Sequence, residues 1–466
     1  MNTSTLTAFA LYLIGLFVIA ILAWHRTRDA TDYALGGRTL GPAVAALSAG
    51  ASDMSGWLLL GLPGAVYLSG IVEGWIVVGL FLGAWANWRL VAARLRDASE
   101  AADGALTLPS YFVHRLAPGA DARMVTALRV VSTTLILFFF TFYVASGLVA
   151  GARLFEATLG LDYTLALAIG AAVIVAYTVA GGFLAVAWTD FFQGLLMLAA
   201  LVAVPVMVFG FGHAEHPERI VLDPFVDLTF LGWLSLMAWG LGYFGQPHIL
   251  ARFMAIESAA AVPRATRIGM SWMFVVAVSS VAVGLGGEAL LETPLEVPET
   301  VFIEMTQVLF HPLVAGTVLA AILAAVMSTI DSQLLVASTS LAEDLYRPLR
   351  RGAAGASELV TVGRLAVLLV AGIAIALALD PDSGVLDLVS YAWAGLGASF
   401  GPVVLASLYW SGLTARGALA GMLVGGVTVV VWGNLEGGLF DVYELLPAFL
   451  LGSLVVYVAS GRRAAA

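Results

Sequence analysis

Asp53 stands in an otherwise apolar run, ALSAGASDMSGWLLLGLPGA (residues 46–65), with Gly50, Ser52, Ser55 and Gly56 around it. A lone carboxylate in so apolar a run costs about 2.5–3.5 kcal/mol at membrane depth, so it must be paired or face a cavity. Glycine on both sides lets the backbone leave helical geometry. Such unwinding is tolerated at that depth only where the backbone lines a site or is buried in protein. A second run, LMAWGLGYFGQPHILARFM (residues 236–254), is punctuated by Gly240, Gly242, Gly245 and Pro247, with Gln246 before the proline. Pro247 removes a helical hydrogen bond and clashes with the preceding turn. Trp239 and Tyr243 are four apart and share a helix face. A third run, LAAILAAVMSTIDSQLLVAS (residues 319–338), is interrupted by Ser328, Thr329, Asp331 and Ser332. Hydroxyl and carbonyl oxygens suit a hard, singly charged ion such as sodium. Half-helix N-termini favour a carboxylate, and freed carbonyls favour a cation. Each run also has a plainer reading. Glycines pack helices closely, an aromatic pair fits a core, and Ser-Thr bonds back to its own helix.

The elements that must position these residues are membrane spans. Of the 466 residues, 61% are hydrophobic and 11% charged, with mean hydropathy +0.97. Soluble domains carry about 25% charged residues, and a span uses roughly 20 residues. Thirteen apolar spans are read at 6–24, 41–68, 70–92, 126–153, 160–181, 187–211, 229–254, 266–287, 311–340, 361–380, 386–410, 415–434 and 443–460. All 21 basic residues are arginines, and alternating topology puts 19 of them on one side. These include Arg26, Arg28, Arg38, Arg252, Arg351, Arg462 and Arg463; only Arg153 and Arg219 fall opposite. That asymmetry makes the rich side cytoplasmic, with the N-terminus outside and the C-terminus inside. The runs holding Asp53 and Tyr243 are the second and seventh spans. Five helices apart, they are oppositely oriented, and interrupted segments at matching places in inverted halves point to a transporter's binding site.

Other chemistries are excluded. There is no cysteine, hence no disulfide or thiolate metal site. The histidines, His25, His114, His213, His216, His248 and His311, are scattered. The net charge of −10 argues against nucleic acid as a partner. No span gathers a nucleophile with a base, so an enzyme is not expected. The stretch Leu6 to Trp24 lacks a basic leader and is followed by His25, Arg26 and Arg28, so it reads as a retained span. The longest inner loop, about 93–125, is amphiphilic, and its LTLPSYF stretch is placed at the membrane interface. No linker divides the chain.

These stretches resemble the sodium/solute symporter family. The likeness runs nearly end to end, through DYALGGRTLGP, ALSAGASDMSGWLLLGLPGAVYLSG, ASGLVAGARLFEATLG, GGFLAVAWTDFFQ, WGLGYFGQPHILARFM, AILAAVMSTIDSQLLVAS and VSYAWAGLGASFGPVVLASL. Many members share single motifs of this type. GASDMSGW together with GLGYFGQPHILARFM is specific to the proline-transporting branch. The resemblance implies an all-α polytopic membrane protein with a LeuT-type core of inverted five-helix repeats, 41–211 and 229–410. One extra helix precedes them (6–24) and two follow (415–460), about 13 in all. It further implies sodium-driven import of L-proline by alternating access across the bacterial cytoplasmic (inner) membrane, with the lipid bilayer and no obligate protein partner.

Carried over residue by residue, the resemblance gives the sodium ion the carbonyls of Ala51, Met54 and Ala325 and the hydroxyls of Ser328 and Thr329. The family's essential aspartate matches Asp53. The proline pocket falls on Ser55, Gly56, Tyr143, Trp239, Tyr243 and Pro247, with Ser52 and Gln246 beside it. A further acidic position linked to sodium matches Asp190, and a basic residue near the inner entrance matches Arg38. Asp331 stands where some relatives carry serine, so it either helps hold a cation or faces inner water. Two other functions stay open: a symporter for another amino acid or a vitamin, and a transporter-like sensor. Such sensors usually carry a soluble signalling domain, and none is expected here.

Overall fold

The computed structural model describes residues 3–24, 34–118, 121–180, 182–350 and 354–461. His25, Arg26, Arg28, Asp32, Tyr33, Arg351, Arg462 and Arg463 lie outside the described residues. Among the described residues the chain is helical and contains no strand; one isolated bridge pairs Leu40 with Ile256. Among the described residues eight helices are long and apolar enough to cross a membrane, and three shorter apolar helices, Thr3–Ile19, Tyr163–Thr178 and Leu445–Gly461, accompany them. This measure does not reproduce thirteen spans, for a physical reason. The second and seventh spans are cut into short pieces. The C-terminal part of the second is also merged with the third in one 45-residue run, Trp57–Ala101.

The main helices are α1 (Thr3–Trp24), α2 (Pro42–Asp53), α3 (Leu62–Ser69), α4 (Gly74–Asn87), α5 (Leu108–Leu116), α6 (Ala122–Leu159), α7 (Tyr163–Ala180), α8 (Phe183–Pro205), α9 (Phe230–Ala238), α10 (Pro247–Ala255), α11 (Val262–Leu290), α12 (Val301–Leu309), α13 (Pro312–Ser340), α14 (Ala356–Leu377), α15 (Val385–Tyr409), α16 (Ala415–Trp432) and α17 (Leu445–Gly461). The run Trp57–Ala101 is interrupted at Gly70, whose φ of +79° ends α3. A Cβ there would stand 2.6 Å from that of Val221, so glycine is needed twice over.

α13, apolar apart from the cluster Ser328–Gln333, is buried on every side from Val318 to Leu335, as expected of a helix at the centre of a membrane bundle. It packs against α1, α2, α6, α8 and α14. α14 is peripheral and leaves Leu365, Leu368 and Leu369 exposed. Apolar faces of that kind fit contact with lipid. α4 approaches the broken seventh span through Gly79 and Gly83, a small-xxx-small pair. A Cβ on Gly83 would overlap the carbonyl of Gly240.

The LTLPSYF stretch forms the start of α5 under a Thr107–Ser110 capping box. Its Tyr111 and Phe112 are fully buried, and Phe112 stacks on Phe400 at 6.3 Å. These apolar side chains therefore face protein and not an interface. On the opposite flank, Glu299 accepts hydrogen bonds from Val385 N and Leu386 N at 2.9 and 3.3 Å, capping α15. Burial raises the Glu299 carboxyl pKa from its ordinary value, against the pull of those two N–H donors.

Candidate functional site

The first break lies where expected. α2 ends at Asp53, and Met54 N makes its closing bond to Gly50 O at 2.8 Å. Met54 has φ −82° and ψ 71°, outside helical geometry. The Asp53 carbonyl, freed from the helix, accepts from Ser55 N at 3.0 Å, Tyr143 Oη at 3.3 Å and Trp57 Nε1 at 3.3 Å. Ser55 Oγ accepts from Trp57 N at 3.4 Å. Gly56 lies against α6 and α13, where a Cβ would stand 2.6 Å from that of Ala150.

The second break is a tight 3-10 stretch, Trp239–Gly245, followed by extended Gln246 and then Pro247 at the head of α10. Its carbonyls are met by side chains. Trp393 Nε1 donates to Trp239 O at 2.8 Å, Gln246 Nε2 to Gly242 O at 3.2 Å and Asn87 Nδ2 to Tyr243 O at 3.0 Å. The two breaks meet directly: Tyr243 Oη donates to Asp53 Oδ2 at 2.5 Å. An aromatic wall borders them. Trp239 stacks on Tyr443 at 5.1 Å, Trp57 lies 6.3 Å from Trp239, and Tyr243 meets Trp393 edge-on at 5.0 Å.

Facing the first break, α13 supplies two hydroxyls. Ser328 Oγ lies 2.8 Å from Ala51 O and 3.0 Å from Ala325 O; Thr329 Oγ1 lies 3.5 Å from Ala51 O. Four hard oxygens thus converge, from four of the five residues expected to hold sodium. All four donors are neutral hydroxyl or carbonyl oxygens, a hard donor set.

Other expected residues are placed elsewhere. Asp190 is fully buried, 3.1 Å from Arg252 Nη2, and accepts from Ser48 Oγ at 2.7 Å and Ser332 Oγ at 3.5 Å. Arg252 also bonds to Ser332, and it donates to Ser48 Oγ at 3.1 Å and His248 O at 2.9 Å. Arg252, counted on the arginine-rich side, is 0% exposed and pairs with a buried carboxylate. Asp331 is fully buried and bonded to Thr178, so it does not face inner water. Arg38 has a positive φ of 55° and is a staple, donating to Ser99 Oγ at 2.9 Å, Met254 O at 2.8 Å and Ala105 O at 2.8 Å. Burial lowers its pKa from the ordinary arginine value, with the neighbouring Arg96 charge adding to the effect. Pro247 heads α10 at the end of the second break and lines a cavity with Thr107, Met254 and Thr339. Ser52 bonds to Ala49 O at 3.2 Å, within its own helix.

Sequence reasoning missed Asn87, Ser48, Trp57, Trp393 and Tyr443. The apolar run around Asn87 holds few polar residues, which was an available signal. Trp57 lies four residues from Asp53, inside the first run itself, whereas Trp393 and Tyr443 carried no signal, because they come from helices distant in sequence.

A family model described as "Sodium:solute symporter family" matches residues 33–425. The chain belongs to the sodium:solute symporter family. It is 53% identical to the sodium/proline symporter of Salmonella typhimurium, over 98% of this chain and 93% of that one. It is also 53% identical to the high-affinity proline transporter PutP of Bacillus subtilis, over 96% and 95%. Among solved structures, a Na+-coupled sialic acid symporter in a substrate-bound outward-open state is similar, with a TM-score of 0.80 at 16% identity, covering 99% of this chain and 98% of that one. A nucleobase-cation-symport-1 family transporter in a closed conformation follows at TM-score 0.55 and 16% identity, covering 93% and 95%. At such identities these two likenesses concern the fold alone.

Proposed function

We propose that the protein is a secondary active symporter that imports L-proline with sodium by alternating access, and that it performs no catalysis. The observation that carries this reading is the convergence of Ala51 O, Ala325 O, Ser328 Oγ and Thr329 Oγ1 where α13 faces the first break. The proline-transporting relatives, matched nearly end to end, supply the cargo.

In this reading sodium binds first and bridges the α2 break to α13, with Met54 O as a fifth ligand. That orders the unwound backbone around Asp53. Proline then enters beside Ser55 and Gly56, its ring against Trp239, Tyr143 and Tyr243, which suits a small apolar ring. Ordering by a first ligand couples the two by about 1–3 kcal/mol. An inward-negative potential contributes about 2.3 kcal/mol per sodium charge per 100 mV. Asp190, Arg252, Gln246, Asp331 and Arg38 support the helices rather than touch cargo.

The same reading divides Trp57–Ala101 at Gly70 and counts the broken seventh segment as one crossing, which restores thirteen spans. The inverted repeats then run 41–211 and 229–410 in one membrane domain, in the bacterial inner membrane, with the N-terminus outside. The deciding experiment is uptake of labelled proline by the purified protein in proteoliposomes. An imposed inward sodium gradient should drive accumulation, and a potassium gradient should not. Equal uptake under both, or competition by another solute stronger than by proline, would sink the assignment.

A further inference from the structure

Pro247 has no N–H, so the carbonyl of Tyr243, four residues earlier, lacks its helical donor. Asn87 at the end of α4 replaces that donor, its Nδ2 lying 3.0 Å from Tyr243 O. Asn87 is 1% exposed, and its Oδ1 is a buried acceptor with no partner in the protein. A buried acceptor of that kind is costly to leave bare. Asn87 also lines a cavity of about 20 Å³ shared with Asp53, Tyr243, Trp88, Met270 and Trp272. A single water requires roughly 10–15 Å³ and at least two polar partners. Asp53 and Asn87 Oδ1 are two acceptors, and a water has two hydrogens to give them.

We propose that Asn87 is a positioning residue that ties the two broken helices together, holding the freed Tyr243 carbonyl through Nδ2 and reaching Asp53 from Oδ1 through one shared water. Tyr243 is then gripped at both ends, by Asn87 at its carbonyl and by Asp53 at its hydroxyl. Ordering of the α2 break is felt at Tyr243, in the wall of the cargo pocket. A residue outside both breaks thereby carries the coupling between ion and solute.

The cargo named here rests on the proposed function; the tie between the breaks does not. The test uses the full-length protein in proteoliposomes with labelled proline at graded sodium. Asn87→Leu, similar in size but apolar, should raise half-saturating proline about tenfold or more and weaken its dependence on sodium, with a smaller change in maximal rate per transporter. Asn87→Gln keeps both polar groups and should recover part of the loss. Combined with Tyr243→Phe, Asn87→Leu should add much less than its own single effect, because both act on one hinge. Unchanged half-saturation, a loss confined to maximal rate, or full additivity would overturn the proposal. A second readout needs no cargo: sodium titration of intrinsic fluorescence, since Trp57 and Trp239 flank the breaks. A sodium response kept unaltered in Asn87→Leu counts against the tie, and its loss supports it. If Asn87→Leu fails to accumulate, Asn87→Ser is measured and judged by the same outcomes. Sodium-independent proline uptake by the unaltered protein would instead fault the cargo assignment.

Discussion

Ser328 and Thr329 act at the scale of single oxygens. Each hydroxyl lies within 3.5 Å of the Ala51 carbonyl, across a gap that neither helix closes with backbone bonds. Replacing both by alanine removes two of the proposed ion's oxygens and leaves packing nearly intact. The sodium concentration for half-maximal uptake should rise at least tenfold while the protein still reaches the membrane; an unchanged sodium dependence would remove the assignment. Tyr243 acts differently, because its hydroxyl donates to the buried Asp53 carboxylate. Tyr243→Phe takes that donor away, a loss of about 1–3 kcal/mol. Half-saturating proline should rise about tenfold in uptake assays, with protein abundance preserved.

Helices bring these residues together through contacts that tolerate little added volume. Gly79 and Gly83 let α4 lie against the second break, which is why Asn87 reaches Tyr243. Gly83→Val forces the two apart, and its clearest expected effect is a loss of folded protein in detergent gel filtration. The Asp190–Arg252 pair joins α8 to α10 with neither side chain exposed. Removing one partner strands the other charge at a cost of about 3–5 kcal/mol, whereas removing both is milder. Asp190→Leu should therefore lower the melting temperature more than Asp190→Leu combined with Arg252→Met. Thermal unfolding of the two purified variants measures the order directly.

The whole molecule is a bundle around α13, and its sidedness is an expectation from arginine placement. Arg252, and in part Arg38, are structural within that count, but the loop arginines still favour one face. The chain holds no cysteine, so single cysteines report accessibility without background. Glu296→Cys should react with an impermeant thiol reagent added outside intact cells, and Arg267→Cys should react only after the membrane is opened. The reverse pattern would invert the topology.

The membrane class, the two breaks and the hydroxyl pair were legible in the residues alone, because glycine, proline and polar residues stand out against an apolar background. It also placed Asp53 at a break, since a carboxylate there needs a reason. Family resemblance, not spacing, joined Ala51 to Ser328. It took the folded chain to show that Tyr243 bonds Asp53, that Arg252 neutralises Asp190, and that Asn87 fills the donor missing at Pro247. Those pairings join residues 62 to 190 positions apart. Periodicity along one helix carries no information about which face of another helix will meet it. That is set by close packing, which depends on every neighbour at once.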